Sequence, residues 1–151
     1  MKSQSSPVFA TLAMAVLAVL AVLAGLSVSP PAQSAAPGCA DVEVINVRPN
    51  QGHLMVAAYL SADTFTKRPV VSVRLAAAEA TMRFELCGLS GDTVALTLFQ
   101  DLDSDGKMGS NLLGMPTEPW GASGSPGMTG PSWATSSVAL NGSPIVVKMS
   151  Q

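Results

Sequence analysis

Short runs that alternate apolar and polar residues recur along residues 41–149, and this period of two is the feature that most constrains the fold. A side-chain period of two is typical of a β-strand with one buried face. The clearest run is residues 93–99 (TVALTLF), which we expect to be a central strand. Its Val94, Leu96 and Leu98 share one face. The pattern therefore predicts an all-β domain.

Turn-forming residues separate the runs, so the strands are expected to be short. Residues 42–47 and 53–60 are predicted to pair as a hairpin through Arg48-Pro49-Asn50-Gln51-Gly52, with Leu54, Val56, Ala58 and Leu60 or their neighbours facing inward. Two more strands are predicted at residues 70–75 and 82–86. A closing hairpin joins residues 134–140 to 144–149 through Asn141 and Gly142, which tolerate positive φ. About seven strands at this spacing predict an antiparallel sandwich of immunoglobulin-like or transthyretin-like type.

The first 36 residues carry a different pattern from the rest of the chain. Lys2 is followed by an unbroken apolar run at residues 11–26, and small residues follow at positions 34–36. This order of basic start, apolar middle and small-residue exit is typical of a secretory signal. We expect cleavage after Ala36 and a single domain at residues 37–151. The alternative is an uncleaved anchor, because the run approaches the roughly 20 residues that span a bilayer; membrane contact is expected only through that segment.

The leader predicts a protein that works outside the cytoplasm, in the periplasm or the medium, and the charge and cysteine content bear on its partners and its covalent structure. Beyond residue 36 there are seven Lys and Arg against ten Asp and Glu, a net charge of −3, which disfavours nucleic acid as a partner. Cys39 and Cys87 are the two cysteines, and an oxidising compartment favours joining them in a disulfide. The alternative is a pair of buried free thiols. The disulfide would close a loop in the unfolded chain, and the chain-entropy model gives a stabilisation of at most about 4 kcal/mol for it.

Residues 101–132 show neither period and hold seven of the 13 glycines and four prolines. A loop of this length in a compact domain is usually functional or disordered. Within it, Asp101, Asp103, Asp105 and Gly106 fit the opening of a calcium-binding loop, in which alternating carboxylates converge on one ion. The bidentate Glu that should end the loop is replaced by Leu112, so a Ca²⁺ site would be weak. The alternative is an Asx-rich turn.

Two tryptophans of the same region, Trp120 and Trp133, follow Pro-containing loop segments. They are candidates for contact with a sugar or a peptide, and the alternative is that they pin the long loop to the sandwich.

The sequence contains few residues in patterns that are typical of enzyme active sites. His53 is the single histidine, and the chain has no nucleophile elbow and no zinc-ligand spacing. A metal-assisted hydrolase that uses the aspartates is a remaining alternative.

Three segments form a distinctive sequence motif: residues 99–107 (FQDLDSDGK), residues 111–121 (NLLGMPTEPWG) and Gly130-Pro131-Ser132-Trp133. The chain resembles the bacterial exported family called domain of unknown function 2141, over residues 42–149. The resemblance implies an exported β-sandwich and supplies no catalytic residue. We therefore expect a non-enzymatic binding or structural module whose partner is an extracytoplasmic ligand or protein.

Overall fold

Eight strands and one short helix make up the part of the chain that the computed structural model describes, residues 38–127 and 130–150. The strands are β1 Cys39–Ile45, β2 His53–Tyr59, β3 Val71–Ala76, β4 Thr81–Cys87, β5 Thr93–Asp101, β6 Trp120–Ala122, β7 Ser137–Ala139 and β8 Ile145–Lys148, and helix α1 is Trp133–Ser136. The described residues fall within one compact unit. The predicted signal at residues 1–36 lies outside the described residues. Within the described ranges, no helix has the length and apolarity needed to cross a bilayer.

The strands form two sheets, so the all-β sandwich expected from the sequence is confirmed. The smaller sheet has the order β4-β1-β8, and the larger has the order β3-β2-β5-β6, with β7 also paired to β5. Neighbouring strands are antiparallel except β1 and β8, which run parallel. The described residues contain eight strands rather than about seven, because β6 forms inside the region without periodicity. At three residues, β6 is too short to show an alternation.

The core lies between the two sheets. Val44 and Val147 from the smaller sheet, and Leu54 and Leu96 from the larger, are completely buried there. Strand β5 is central in the larger sheet, as predicted, and its Val94, Leu96 and Leu98 all face the core. Since alternate residues point to opposite sides of a sheet, the remaining residues of β2 and β5 form a second, outer face.

The predicted hairpin of β1 with β2 is wrong, because the two strands belong to different sheets. The connection between them crosses from one sheet to the other. The Gln100 side chain, which is completely buried, holds this connection by donating to the backbone oxygens of Arg48 at 2.7 Å and Gln51 at 2.6 Å. Its Oε1 accepts from the Arg48 backbone N–H at 2.9 Å. Alternation shows that each strand has a buried face, but it does not specify which sheet contains the strand.

The predicted closing hairpin is wrong for the same reason. Strand β7 pairs with β5 in the larger sheet, whereas β8 lies parallel to β1 in the smaller one. Asn141 and Gly142 do form a turn, in which the Ser143 backbone N–H donates to Asn141 Oδ1 at 3.1 Å. That turn therefore bridges the two sheets.

The predicted disulfide is confirmed. Cys39 and Cys87 are register partners at the ends of β1 and β4, and their sulfur atoms are bonded. The bond joins the first strand of the domain, β1, to its antiparallel neighbour β4 within the smaller sheet.

Candidate ligand-binding cleft and its acidic loop

A cleft of about 760 Å³ lies on the outer face of the larger sheet. Its floor comes from residues of β2 and β5 that alternate with the core residues, including Met55, Ala57, Thr97 and Phe99. Strand β3 contributes Ser72, Val73 and Arg74, and β6 contributes Trp120 and Gly121. The loop between β5 and β6 supplies a wall through Met108, Gly114, Met115 and Pro116, and Gly130 and Pro131 complete the lining.

Arg74 is the one charged residue among the described residues that line the cleft. Its guanidinium donates to Nδ1 of His53 at 3.0 Å, and Ser104 Oγ lies 3.3 Å from the same nitrogen. His53 thus contacts the Arg74 side chain beside the cleft. The cleft therefore combines an apolar body with a single cationic group.

The loop that forms one wall is anchored at both ends by carboxylates. At its start, the completely buried Asp101 accepts hydrogen bonds from the backbone N–H groups of Asp105 at 3.1 Å and Gly106 at 3.0 Å. At its end, Glu118 accepts from the backbone N–H groups of Leu102 at 2.7 Å and Gly109 at 2.8 Å. Both oxygens of each carboxylate are thus used to fold the loop back on itself, so this glycine-rich segment is ordered.

The three aspartates predicted to bind calcium are brought together. Asp101, Asp103 and Asp105 each offer a carboxylate oxygen, and these oxygens lie within 4.8 Å of one another. Asp101 is buried, whereas Asp103 and Asp105 are exposed. Asp103 Oδ1 also accepts from the Asp105 backbone N–H at 3.2 Å, and Asp105 Oδ1 accepts from the Lys107 backbone N–H at 2.7 Å. None of the three lines the cleft.

The substitute ligands considered from the sequence are engaged elsewhere. Asn111 Oδ1 accepts from two backbone N–H groups of its own turn, and both Glu118 oxygens accept from loop amides. Leu112, at the position of the expected bidentate Glu, is fully exposed. None of these three side chains therefore adds a ligand to the aspartate cluster in this arrangement.

The structure places the two tryptophans in different surroundings. Trp120 is half-buried and lines the cleft. Trp133 is also half-buried, but it packs edge-on against Phe65 at a centroid distance of 6.2 Å, and Phe65 in turn packs against Tyr59. Trp133 is absent from the cleft lining. The two rings thus do not form one shared platform in the cleft.

The cleft was not predicted from the sequence, although a signal for it was present. The segment HLMVAAYL is apolar at Met55, Ala57 and Tyr59 as well as at the core positions between them. Strands that are apolar on both faces are covered on both faces in ordinary sheets. The outer-face residues therefore indicate either a covering element or a binding surface.

The two packed sheets define a β-sandwich with an apolar cleft on the outer face of its larger sheet. The chain belongs to the family described as "Uncharacterized protein conserved in bacteria (DUF2141)", whose profile matches residues 42–148. The family resemblance noted from the sequence is thereby confirmed. No curated protein and no solved structure matches the chain.

Proposed function

We propose that this protein is an exported, non-enzymatic binding module that holds an apolar or amphipathic small molecule in the outer-face cleft. The observation that carries the proposal is the cleft itself, about 760 Å³ in volume and lined largely by apolar and aromatic side chains. Small-molecule sites are typically concave, apolar and a few hundred to about 1,000 Å³ in size, with a few polar groups that fix orientation. Arg74 supplies such a group at the rim.

The lining supports an apolar ligand over the alternatives. A sugar needs several side-chain hydrogen-bonding groups, and the cleft offers few beyond Thr66, Ser72 and Thr97. A carbohydrate or peptide site built on both tryptophans is not favoured, because Trp133 packs against Phe65. A metal-assisted hydrolase needs its metal beside the substrate, and the three aspartates lie outside the cleft lining.

Titration with N-phenyl-1-naphthylamine, an apolar dye that fluoresces when it leaves water, tests the proposal. Ser72 is exposed and lines the cleft from the edge strand β3, so Ser72→Trp fills the cavity without disturbing the core. The matched control is Ala76→Trp, which is exposed on the same face of the same strand but outside the lining. We expect saturable binding by the wild type and the control, and at least about tenfold weaker binding by Ser72→Trp.

Equal dye binding by Ser72→Trp and the wild type would place the dye elsewhere and would contradict the proposal. Quenching of Trp120 provides a second readout, since this ring lines the cleft. A dye that binds without changing Trp120 emission would argue against the cleft in the same way. Urea unfolding of each variant establishes that any loss of binding is not a loss of folding.

A second proposal concerns the aspartate loop, which we infer to be a weak calcium site that stiffens the wall of the cleft. It is supported by the convergence of three carboxylate oxygens within 4.8 Å. Extracellular calcium modules bind with dissociation constants of about 0.1–1 mM. At 10 mM Ca²⁺, such a site would add about 1.4–2.7 kcal/mol to stability.

Thermal melts with Ca²⁺, Mg²⁺ or chelator test this second proposal. The variant Asp103→Ala/Asp105→Ala removes two ion ligands and keeps Asp101, whose buried carboxylate folds the loop. We expect the wild type to melt higher in Ca²⁺ than in Mg²⁺, and the variant to show no difference. No Ca²⁺-dependent shift in the wild type would leave the aspartates as a solvated turn.

Export itself is part of the proposal and is supported by the N-terminal pattern of the sequence and by the disulfide. Intact-mass measurement of the protein recovered from the periplasm or medium tests it. A mass that starts at residue 37 and lacks two hydrogens is expected. Recovery of full-length, reduced protein from the cytoplasm would contradict it.

A further inference from the structure

The loop between β5 and β6, which forms one wall of the cleft, carries two solvent-exposed leucine side chains at its tip. Leu112 has a relative exposure of 106% and Leu113 of 84%. The methionines on either side, Met108 and Met115, are exposed at 41% and 58%. Soluble proteins tolerate single exposed apolar residues, but four within eight positions of one loop call for a partner.

These leucines are presented by an ordered turn. Asn111 Oδ1 accepts from the backbone N–H groups of Leu113 at 2.9 Å and Met115 at 3.0 Å. The Asn111 backbone N–H donates to the Met115 oxygen, and the Gly114 N–H donates to the Asn111 oxygen, both at 2.9 Å. Gly114 adopts φ +75°, a conformation that favours glycine. Four of the five backbone N–H groups of residues 111–115 are thus satisfied within the turn, which lowers the cost of placing it in a medium poor in water.

Residues 108–117 contain no charged side chain. The nearest carboxylate, Glu118, is buried and bonded to loop amides. A stable protein–protein interface takes about 800 Å² from each partner and some 20 residues a side, which a four-residue apolar tip does not supply. Binding at a bilayer interface instead scales with the apolar area that is buried, so a small apolar tip contributes in proportion to its exposed side chains.

We propose that residues 108–116 dock the domain on a lipid bilayer, and that the cleft takes a lipid acyl chain as its ligand from there. The same loop supplies both features, because Met108, Met115 and Pro116 also line the cleft. An acyl chain that leaves the bilayer along the tip would meet the cleft without crossing a charged surface. The exchange rests on the proposed function of the cleft, whereas the docking does not.

Flotation with phosphatidylcholine vesicles tests the docking. The tip variant is Leu112→Ser/Leu113→Ser, and the matched control is Val70→Ser/Val146→Ser, which removes two residues exposed at 49% and 53% on other parts of the sandwich. All proteins are produced with the natural N-terminal segment and are compared as the processed form that starts at residue 37, established by intact mass, so that the apolar run at residues 11–26 does not mask the tip. We expect the tip variant to partition at least about tenfold more weakly than the wild type, and the control to match the wild type.

Anionic lipid should not strengthen the docking, because the exposed Asp103 and Asp105 offset Lys107 in the same loop. Equal partitioning of the tip variant and the wild type would overturn the docking inference. So would a wild type that self-associates through the tip, which light scattering would reveal as a dimer that Leu112→Ser/Leu113→Ser abolishes.

Transfer of a pyrene-labelled fatty acid out of the vesicles tests the exchange. The cleft-filling variant Ser72→Trp should still float with vesicles but should extract no label, whereas Leu112→Ser/Leu113→Ser should bind free dye normally but extract slowly. Docking without uptake of dye or label by the wild type would contradict the cleft function and leave the docking inference intact. Dye binding without flotation would contradict the docking and leave the cleft function intact.

Discussion

The buried carboxylate of Glu118 makes the contacts whose removal should most clearly loosen the fold of the loop between β5 and β6. Its two oxygens accept from the backbone N–H groups of Leu102 at 2.7 Å and Gly109 at 2.8 Å, and the residue is only 9% exposed. In Glu118→Gln, one oxygen becomes an NH₂ group. One of the two amides then loses its acceptor and faces a donor.

The size of the effect follows from the geometry. A hydrogen bond to a charged group contributes about 1.5–3 kcal/mol, and a buried N–H without a partner costs about 1–3 kcal/mol. These ranges describe the same lost contact and are not additive, so we expect a loss of about 2–3 kcal/mol. If the loop opens locally, this corresponds to roughly 30-fold to 150-fold faster hydrogen exchange at the two amides.

Hydrogen exchange of the Leu102 and Gly109 amides, followed by urea unfolding, measures the local and global parts of that loss. The control is Glu79→Gln, which makes the same chemical change at an exposed position and should alter stability by less than about 0.5 kcal/mol. The reasoning is refuted if both amides of Glu118→Gln exchange at wild-type rates, or if the two variants unfold at the same urea concentration.

Three further predictions concern the sandwich. Ser123→Ala should lower stability by about 1–3 kcal/mol in urea unfolding, because its buried hydroxyl accepts from the Leu96 backbone N–H at 2.8 Å. Cys39→Ser/Cys87→Ser should lose about 2–4 kcal/mol and should no longer respond to a reducing agent. Gly52→Ala should lose at least about 3 kcal/mol and give little soluble protein, because Gly52 has φ +61° and an added Cβ would collide with the backbone carbonyl at the end of β5.

Each of these predictions has a clear contrary result. Ser125→Ala removes an exposed hydroxyl and is the control for the serine variant, so equal stability of the two would contradict the buried-bond argument. A serine-for-cysteine variant as stable as the oxidised wild type would show that the disulfide does not constrain the unfolded chain. A soluble Gly52→Ala with wild-type stability would show that the connection can move away from β5.

Sequence periodicity predicted the β-rich segments well, because burial on one face leaves a local trace in each segment. Strand β5 is the clearest case, with its core residues at the positions that alternation indicates. The disulfide was also predictable, since the chain contains two cysteines and the pattern of its first residues indicates export. Strand β6 was not, because three residues next to Pro119 are too few to show a period.

The sequence identified individual residues of the candidate site, but it did not show how they are arranged in space. Asp101, Asp103 and Asp105 are close in the chain, so their convergence follows from local turn geometry. Trp120 and Trp133 looked equivalent in the sequence, yet one lines the cleft and the other packs against Phe65. The apolar residues on both faces of β2 indicate a covered or binding surface, but the shape of the cleft depends on register between strands distant in sequence.

The sequence by itself determined the all-β class, the approximate positions of most strands, the disulfide and the family, because each depends on local composition or on residue identity. The tertiary structure decided which sheet contains each strand. A buried face satisfies the hydrophobic pattern equally well in either sheet, and long-range contacts such as those of Gln100 with Arg48 and Gln51 distinguish the two. It also decided that Glu118 would fold the loop between β5 and β6 back on itself, and that residues of this loop would wall the cleft that we propose as the binding site.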